Sequence, residues 1–304
     1  MTNSPQFKKI EEGKGFIAAL DQSGGSTPKA LKNYGIDESQ YSNDEDMFAL
    51  VHKMRERIIT APPFHGDKIL GAILFEKTMD DVIEGLPTAR YLWDTLDIVP
   101  FLKIDKGLDD DNDGVQLMKP IPDLDLLLER AKNAGIFGTK MRSVINKAST
   151  AGISEVVAQQ FEIGKSILSY GLVPIIEPEI SINAQDKQDC EVILKAEIME
   201  HLNALEGNQQ IMLKLTLPEA PNFYRELIDH PNCLKVVALS GGYDLDEACQ
   251  RLASNDGMVA SFSRALTNDL NAGQTDEEFN KALQSAIDRI YNASVHNEAD
   301  AKAA

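Results

Sequence analysis

Residues 136–176 read IFGTKMRSVINKASTAGISEVVAQQFEIGKSILSYGLVPII, and this stretch sets the fold class. It opens on a β-type run, Ile136 to Met141, and closes on another, Leu172 to Ile176. Between them, Ser154 to Tyr170 places Val156, Val157, Phe161, Ile163, Ile167 and Leu168 at helical spacing. The helical pattern stops at Gly171, a residue suited to the left-handed turn that ends a helix. Strand, helix and strand in this order build a parallel sheet, because neighbouring parallel strands need a long crossover between them.

The alternation continues outward in both directions. Upstream lie Gly15 to Leu20, Ile69 to Phe75 and Val99 to Ile104; downstream lie Ile211 to Leu215, Leu234 to Leu239 and Met258 to Phe262. Asp186 to Leu205 and Asp276 to Tyr291 carry further helical patterns. With the two runs of the opening stretch this makes eight strand candidates, the number that closes a barrel. The expectation is therefore an α/β fold, a single (β/α)8 TIM barrel over residues 1–295, with no internal repeat or interdomain linker. The strand at Ile136 is the most diluted, by Gly138, Lys140 and Arg142. The tail 296–304, HNEADAKAA, has no apolar anchor and is expected to be disordered.

Composition narrows the function. The chain has 304 residues, 43% of them hydrophobic, and a formal net charge of −18. Such acidity repels nucleic acids and anionic membranes, so neither is an expected partner. An anionic substrate would then need a local cluster of Lys and Arg. Met1 to Lys14 is polar, without the apolar core of a signal peptide, and no apolar run reaches the roughly 18 residues of a membrane span. Cys190, Cys233 and Cys249 form no CxxC pair and read as buried thiols, which together point to a soluble cytoplasmic protein. His52, His65, His201, His230 and His296 fall in no metal-binding spacing, and no metal or other cofactor is expected.

Charged residues near strand C-terminal ends need a reason, since barrel strands should be apolar. Asp21 follows the first strand, Lys103 and Asp105 lie at the third, and Lys140 and Arg142 at the fourth. The fifth ends in Glu177 and Glu179, the sixth contains Lys214, the seventh runs into Ser240-Gly241-Gly242, and Arg264 follows the eighth. All would gather at the C-terminal mouth, where barrel enzymes place catalysis. The two-residue spacings within Lys103/Asp105 and Lys140/Arg142 put each pair on one side of its strand.

Lys214 is the most informative of these. It lies in Ile211-Met212-Leu213-Lys214-Leu215-Thr216-Leu217, apolar on both sides, where desolvation disfavours a charged amine and a second cation such as Lys140 would disfavour it further. A neutral amine in such a place is a nucleophile toward a carbonyl; a lysine snorkelling from the strand end is the alternative. Glu177-Pro178-Glu179 could supply a general acid/base and a partner for the lysines. Ser240-Gly241-Gly242, a helix beginning near Asp244, and Arg264 match the usual barrel phosphate site after strands seven and eight. Asp21-Gln22-Ser23-Gly24-Gly25-Ser26 is a second anion-capable loop, with Lys103 as its available cation. Two such loops flanking one desolvated lysine suggest a bisphosphorylated keto sugar.

The segments GKGFIAALDQSGGS, GAILFE, FLKIDKG, GTKMRS, VPIIEPEI, LKLT, ALSGG and SFSRAL span residues 13 to 266, and in this order the chain resembles class I fructose-bisphosphate aldolases. The resemblance implies reversible cleavage of fructose 1,6-bisphosphate through a Schiff base on Lys214. It implies proton shuttling by Glu177, electrostatic support from Glu179 and Lys140, and help from Asp21 at the C4 hydroxyl. It places the C1 phosphate on Ser240, Gly241, Gly242 and Arg264, and the C6 phosphate on Ser23, Ser26 and Lys103, with Arg142 nearby. Three departures from the animal pattern point to a bacterial branch: Gln22 where a Glu is familiar, the short LKLTLP segment at Lys214, and no tyrosine at the C-terminus. Other readings are a Schiff-base aldolase for another ketose such as tagatose 1,6-bisphosphate, and a catalytically silent metabolite-binding barrel; the latter has no use for a buried amine.

Overall fold

The computed structural model describes residues 4–22 and 27–295. Eight parallel strands form a nearly closed barrel: β1 (Phe16–Leu20), β2 (Ile69–Leu74), β3 (Val99–Lys103), β4 (Gly138–Ile145), β5 (Val173–Ile180), β6 (Ile211–Thr216), β7 (Cys233–Leu239) and β8 (Met258–Ala260). They neighbour one another in sequence order, as right-handed crossovers dictate. The principal helices are α1 (Pro5–Glu12), α2 (Thr27–Asn33), α3 (Asp44–Ile59), α4 (Leu124–Ala134), α5 (Thr150–Ser169), α6 (Lys187–Asn203), α7 (Leu245–Ala253) and α8 (Asp276–Val295). None of the described helices is long and apolar enough to cross a membrane. The tail 296–304, like Ser23 and Ser26, lies outside the described residues.

The period-two rule divides each strand between two cores. One face packs on the surrounding helices, with Ala18, Leu20, Leu102, Met141, Ile176, Leu213 and Val236 in that layer. The other faces inward, where Ile17, Ala19, Ile73, Val99, Phe101, Val173, Ile175, Met212, Val237 and Val259 fill the lower barrel. Helix α1 closes the bottom, contributing Phe7 and Ile10 to the same cluster. Lys9 Nζ of this helix donates to Asp97 at 2.6 Å and to the Gly66 carbonyl at 3.1 Å, fixing the plug to the loops before β3 and β2.

Two strands run past their expected ends. β4 continues from Met141 to Ile145 and β5 from Ile176 to Ile180, still paired as Arg142 with Glu177 and Val144 with Glu179. Glu177 and Glu179 are therefore within the sheet rather than beyond it. Pro178 fits because the ladder to β6 ends at Ile176 with Leu213, so its missing N–H is not needed on that side. The overhang is covered by a short antiparallel strand, Val115–Gln116, against Val144 and Ile145. At the other extreme β8 has only three residues. Its Ala260 N–H donates to Ser294 Oγ of α8 at 3.0 Å, and among the described residues no ladder joins β8 to β1. The seam is bridged above by Gln22 Nε2 donating to Ser263 Oγ at 2.7 Å.

Gly138, which dilutes the β4 pattern, is required by packing. A Cβ there would lie 2.2 Å from the Val173 carbonyl oxygen and 3.0 Å from the ring of Phe101. Neither the backbone of β5 nor the central ring of the lower barrel can move freely. Gly138→Ala is expected to cost about 1–3 kcal/mol, the usual penalty of overpacking. Urea unfolding should show a lower midpoint at an unchanged slope; a variant as stable as the parent would contradict the close approach.

Candidate active site

Above the apolar floor, the inward-facing positions turn polar. On β3 the series Val99, Phe101 leads to Lys103 and Asp105; on β5, Val173, Ile175 leads to Glu177 and Glu179; on β6, Met212 leads to Lys214. These side chains line a cavity of about 580 Å³ at the C-terminal mouth, with Asp21, Lys140, Arg142, Ser240, Gly241 and Arg264. The position is the usual one for barrel enzymes, because strand ends and loops converge there.

The centre of the cavity is a chain of buried charges. Lys214 Nζ lies 3.1 Å from Glu177 Oε1, and Lys140 Nζ lies 2.9 Å from Glu177 Oε2 and 2.6 Å from Asp21 Oδ2. All four residues are buried, at 3% to 8% exposure, which leaves little room for water to solvate them. Burial would lower the Lys140 ammonium, but Asp21, Glu177 and Asp105 outweigh that and hold it above the usual lysine range. Burial likewise raises the Asp21 carboxyl, yet Lys140, Lys214 and Lys103 hold it well below the usual carboxylate range. The Asp21–Lys140 pair is thus firmly ionised. Gln160 of α5 orients Glu177 from behind, its Oε1 accepting the Glu177 backbone N–H at 2.8 Å.

Further out, Arg142 Nη1 donates to Glu179 Oε2 at 2.9 Å. Burial and the nearby Glu177 push the Glu179 carboxyl up against the pull of Arg142 and the lysines. Lys103 is turned to its own neighbour, donating to Asp105 Oδ1 at 2.7 Å and to the Asp105 carbonyl at 2.8 Å. The expected free cation for the loop after β1 is therefore engaged with Asp105. The second Asp105 oxygen, Oδ2, is buried without a hydrogen-bond partner among the described residues.

The loop after β7 turns through two glycines. Gly241 and Gly242 have φ of +61° and +130°, conformations that glycine adopts at little cost. A Cβ on Gly241 would meet Ile182 at 2.7 Å, and one on Gly242 would lie 3.6 Å from an Arg264 nitrogen. Arg264, opening the single-turn helix Arg264–Thr267, thus stands beside this loop. Helix α7 follows, its N-terminus capped by Asp244, whose Oδ1 accepts from Glu247 N–H at 2.8 Å. Ser240 and Gly241 line the cavity, whereas Gly242, expected beside them, is exposed and does not.

Several contributors were not singled out by sequence. Lys29 of α2 lines the cavity, with Asn33, Tyr34 and Thr267; its only sequence signal is its place just after the Ser23-Gly24-Gly25-Ser26 sequence. Arg55 of α3 is fully buried, donating to Thr78 Oγ1 at 2.7 Å and to the Gln22 carbonyl. Burial pulls its guanidinium down to about 10, against the attraction of Asp21. Gln160 does carry a signal: a polar residue on the apolar face set by Val156, Val157 and Phe161. Among the described residues, no group of three or more His, Cys, Asp or Glu side chains is placed to hold a metal ion.

Solved structures show the same architecture. A Plasmodium falciparum fructose-bisphosphate aldolase, solved in complex with TRAP and a small-molecule inhibitor, superposes with a TM-score of 0.77 at 23% identity, covering 96% of this chain and 93% of the other. Cgl0159 from Corynebacterium glutamicum gives 0.56 at 14% identity, over 95% and 91%. An archaeal fructose-1,6-bisphosphate aldolase, with its catalytic lysine bound to the carbinolamine intermediate, gives 0.51 at 11%, over 94% and 98%. At these identities the likeness is one of fold. A family model for glycolytic fructose-bisphosphate aldolase class-I matches residues 6–223, a span that includes Asp21, Lys140, Glu177 and Lys214. By that match, the chain belongs to the class-I fructose-bisphosphate aldolase family.

Proposed function

We propose that the protein reversibly cleaves fructose 1,6-bisphosphate to dihydroxyacetone phosphate and glyceraldehyde 3-phosphate, with Lys214 as the Schiff-base residue. The observation that carries this reading is a strand-borne lysine amine, buried in the cavity, 3.1 Å from a carboxylate that can move its protons. The amine of Lys214 adds to the C2 ketone to form a carbinolamine. Glu177, holding the proton that Lys214 gave up to become the free amine, delivers it to the departing hydroxyl; water leaves, and the iminium remains. With that electron sink in place the C3–C4 bond can break without a metal: Asp21 takes the proton of the C4 hydroxyl, the aldehyde forms, and the bonding pair passes into the enamine. For Asp21 to serve as the base, Lys140 must shift part of its hold toward Glu177, its other partner. Glu177 is the nearest candidate to return a proton to the enamine. Glu179 and Arg142 shape the field around these groups.

The two ends of the substrate would be held differently. The C1 phosphate would fall to Ser240, Gly241 and Arg264, which line the cavity together and offer backbone N–H groups and a guanidinium to an anion, with Gly242 supporting the turn. The C6 phosphate would fall to the loop bearing Ser23 and Ser26 and to Lys103, which must then exchange Asp105 for the phosphate.

The purified protein, kept in EDTA, should release triose phosphates from fructose 1,6-bisphosphate and cleave the C4 epimer, tagatose 1,6-bisphosphate, more slowly. Absence of cleavage, or a preference for the epimer, would overturn the substrate assignment. Glu177→Gln should lower kcat by about 10²- to 10⁴-fold, the value of one positioned acid/base, with a smaller change in KM. Near-normal turnover would move the proton-transfer role away from Glu177.

A further inference from the structure

A second buried charge cluster stands behind the wall that carries Lys214. Lys187, the first residue of α6, is 6% exposed, and Glu191, one turn on, is 2% exposed. The Lys187 ammonium donates to Glu191 Oε1 at 2.5 Å and to the Leu217 carbonyl at 2.8 Å, and lies 3.0 Å from Glu219 Oε1. The Glu191 carboxylate accepts the Glu219 backbone N–H at 3.1 and 3.3 Å. Three residues before Glu219, Thr216 Oγ1 donates to the Ile180 carbonyl at 2.7 Å. Residues 216, 217 and 219, the chain leaving Lys214, are thus fastened to β5 and α6.

The cluster does not end there. The Glu219 carboxylate accepts from Tyr243 Oη at 3.2 Å and lies 3.4 Å from Arg251 Nη1 of α7. Tyr243 directly follows Ser240-Gly241-Gly242, and its amide donates back to the Ser240 carbonyl at 3.0 Å. An unbroken polar path therefore runs from the exit of the Lys214 strand to the glycine loop. An apolar helix face would pack α6 on the barrel without the desolvation cost of one lysine and a buried carboxylate. What the charges add is direction: each fixes one backbone group at a set distance.

We propose that Lys187, Glu191 and Glu219 form a positioning unit that sets the Lys214 amine at a fixed distance from the anion-binding loop after β7. The unit matches the amine to a ketone carbon one phosphoester away from the phosphate held by that loop. This inference rests on the Schiff-base reading above. If it is right, loosening the unit harms substrates that use both points at once and spares those that use only the amine.

The test is the rate of borohydride-trapped labelling by dihydroxyacetone phosphate and by phosphate-free dihydroxyacetone, in the parent and in two mild variants. Glu219→Gln removes the carboxylate charge, and Tyr243→Phe removes only the hydroxyl. Both act on half-buried residues and leave Lys187 and Glu191 paired, so the fold should persist. Labelling by dihydroxyacetone phosphate should fall about tenfold in each variant, a misalignment effect, while labelling by dihydroxyacetone stays within about twofold of the parent. Equal losses with both compounds, or none with either, would overturn the positioning role and leave the cluster a packing feature. A parent protein that is not labelled at all would instead overturn the Schiff-base reading itself.

Discussion

Glu177 stands between two buried amines, 2.9 Å from Lys140 and 3.1 Å from Lys214. Much of the upper barrel is arranged around keeping it there. A carboxylate removed from water costs several kcal/mol unless its charge is met, and deleting one member of a buried pair typically costs about 3–5 kcal/mol. Here the balancing is shared. Lys140 is also paired with Asp21, Arg142 with Glu179, and Lys103 with Asp105. The register of the sheet makes this possible. Lys103 faces Lys140 across β3 and β4, Arg142 faces Glu177 across β4 and β5, and Glu177 and Lys214 come next after the last β5–β6 pair. Parallel strands in sequence order thus bring residues far apart in the chain into one cluster of paired charges.

The cluster is supported from outside the barrel as well as within it. Gln160 reaches from α5 to the Glu177 amide, Arg55 from α3 to the Gln22 carbonyl, and Lys187 from α6 to the Leu217 carbonyl. Each is a buried polar side chain of a surrounding helix, and each ends on a backbone group within three residues of a charged residue of the mouth. The helices therefore fix the strand exits in addition to covering the sheet. A site held in this way can keep its charges at working distances without substrate, which reduces the reorganisation needed during reaction.

Much of this arrangement was legible in the sequence, and the limits have physical causes. The eight strands and their order followed from apolar runs separated by helical patterns, and the placing of Lys140 and Arg142 on one side of their strand from their spacing by two. The ends of β4 and β5 were not legible. Apolar runs stop at the first charged residue, whereas in the folded barrel Arg142 and Glu179 satisfy each other and the strands continue to Ile145 and Ile180. The occupation of Lys103 by Asp105 was also hidden, because two residues on one strand face can pair or point to a common ligand with the same spacing. Arg55 and Lys187 gave no local sign of burial; only the tertiary fold brings the carbonyls that they hold.

The most direct measurement is the identity of the residue captured when dihydroxyacetone phosphate and borohydride are added together. Reduction of the iminium leaves a stable secondary amine, and peptide mapping by mass spectrometry locates it. The account predicts a single modified peptide containing Ile211 to Leu217, with the added mass on Lys214. Modification at Lys140 or any other lysine, with Lys214 intact, would contradict it.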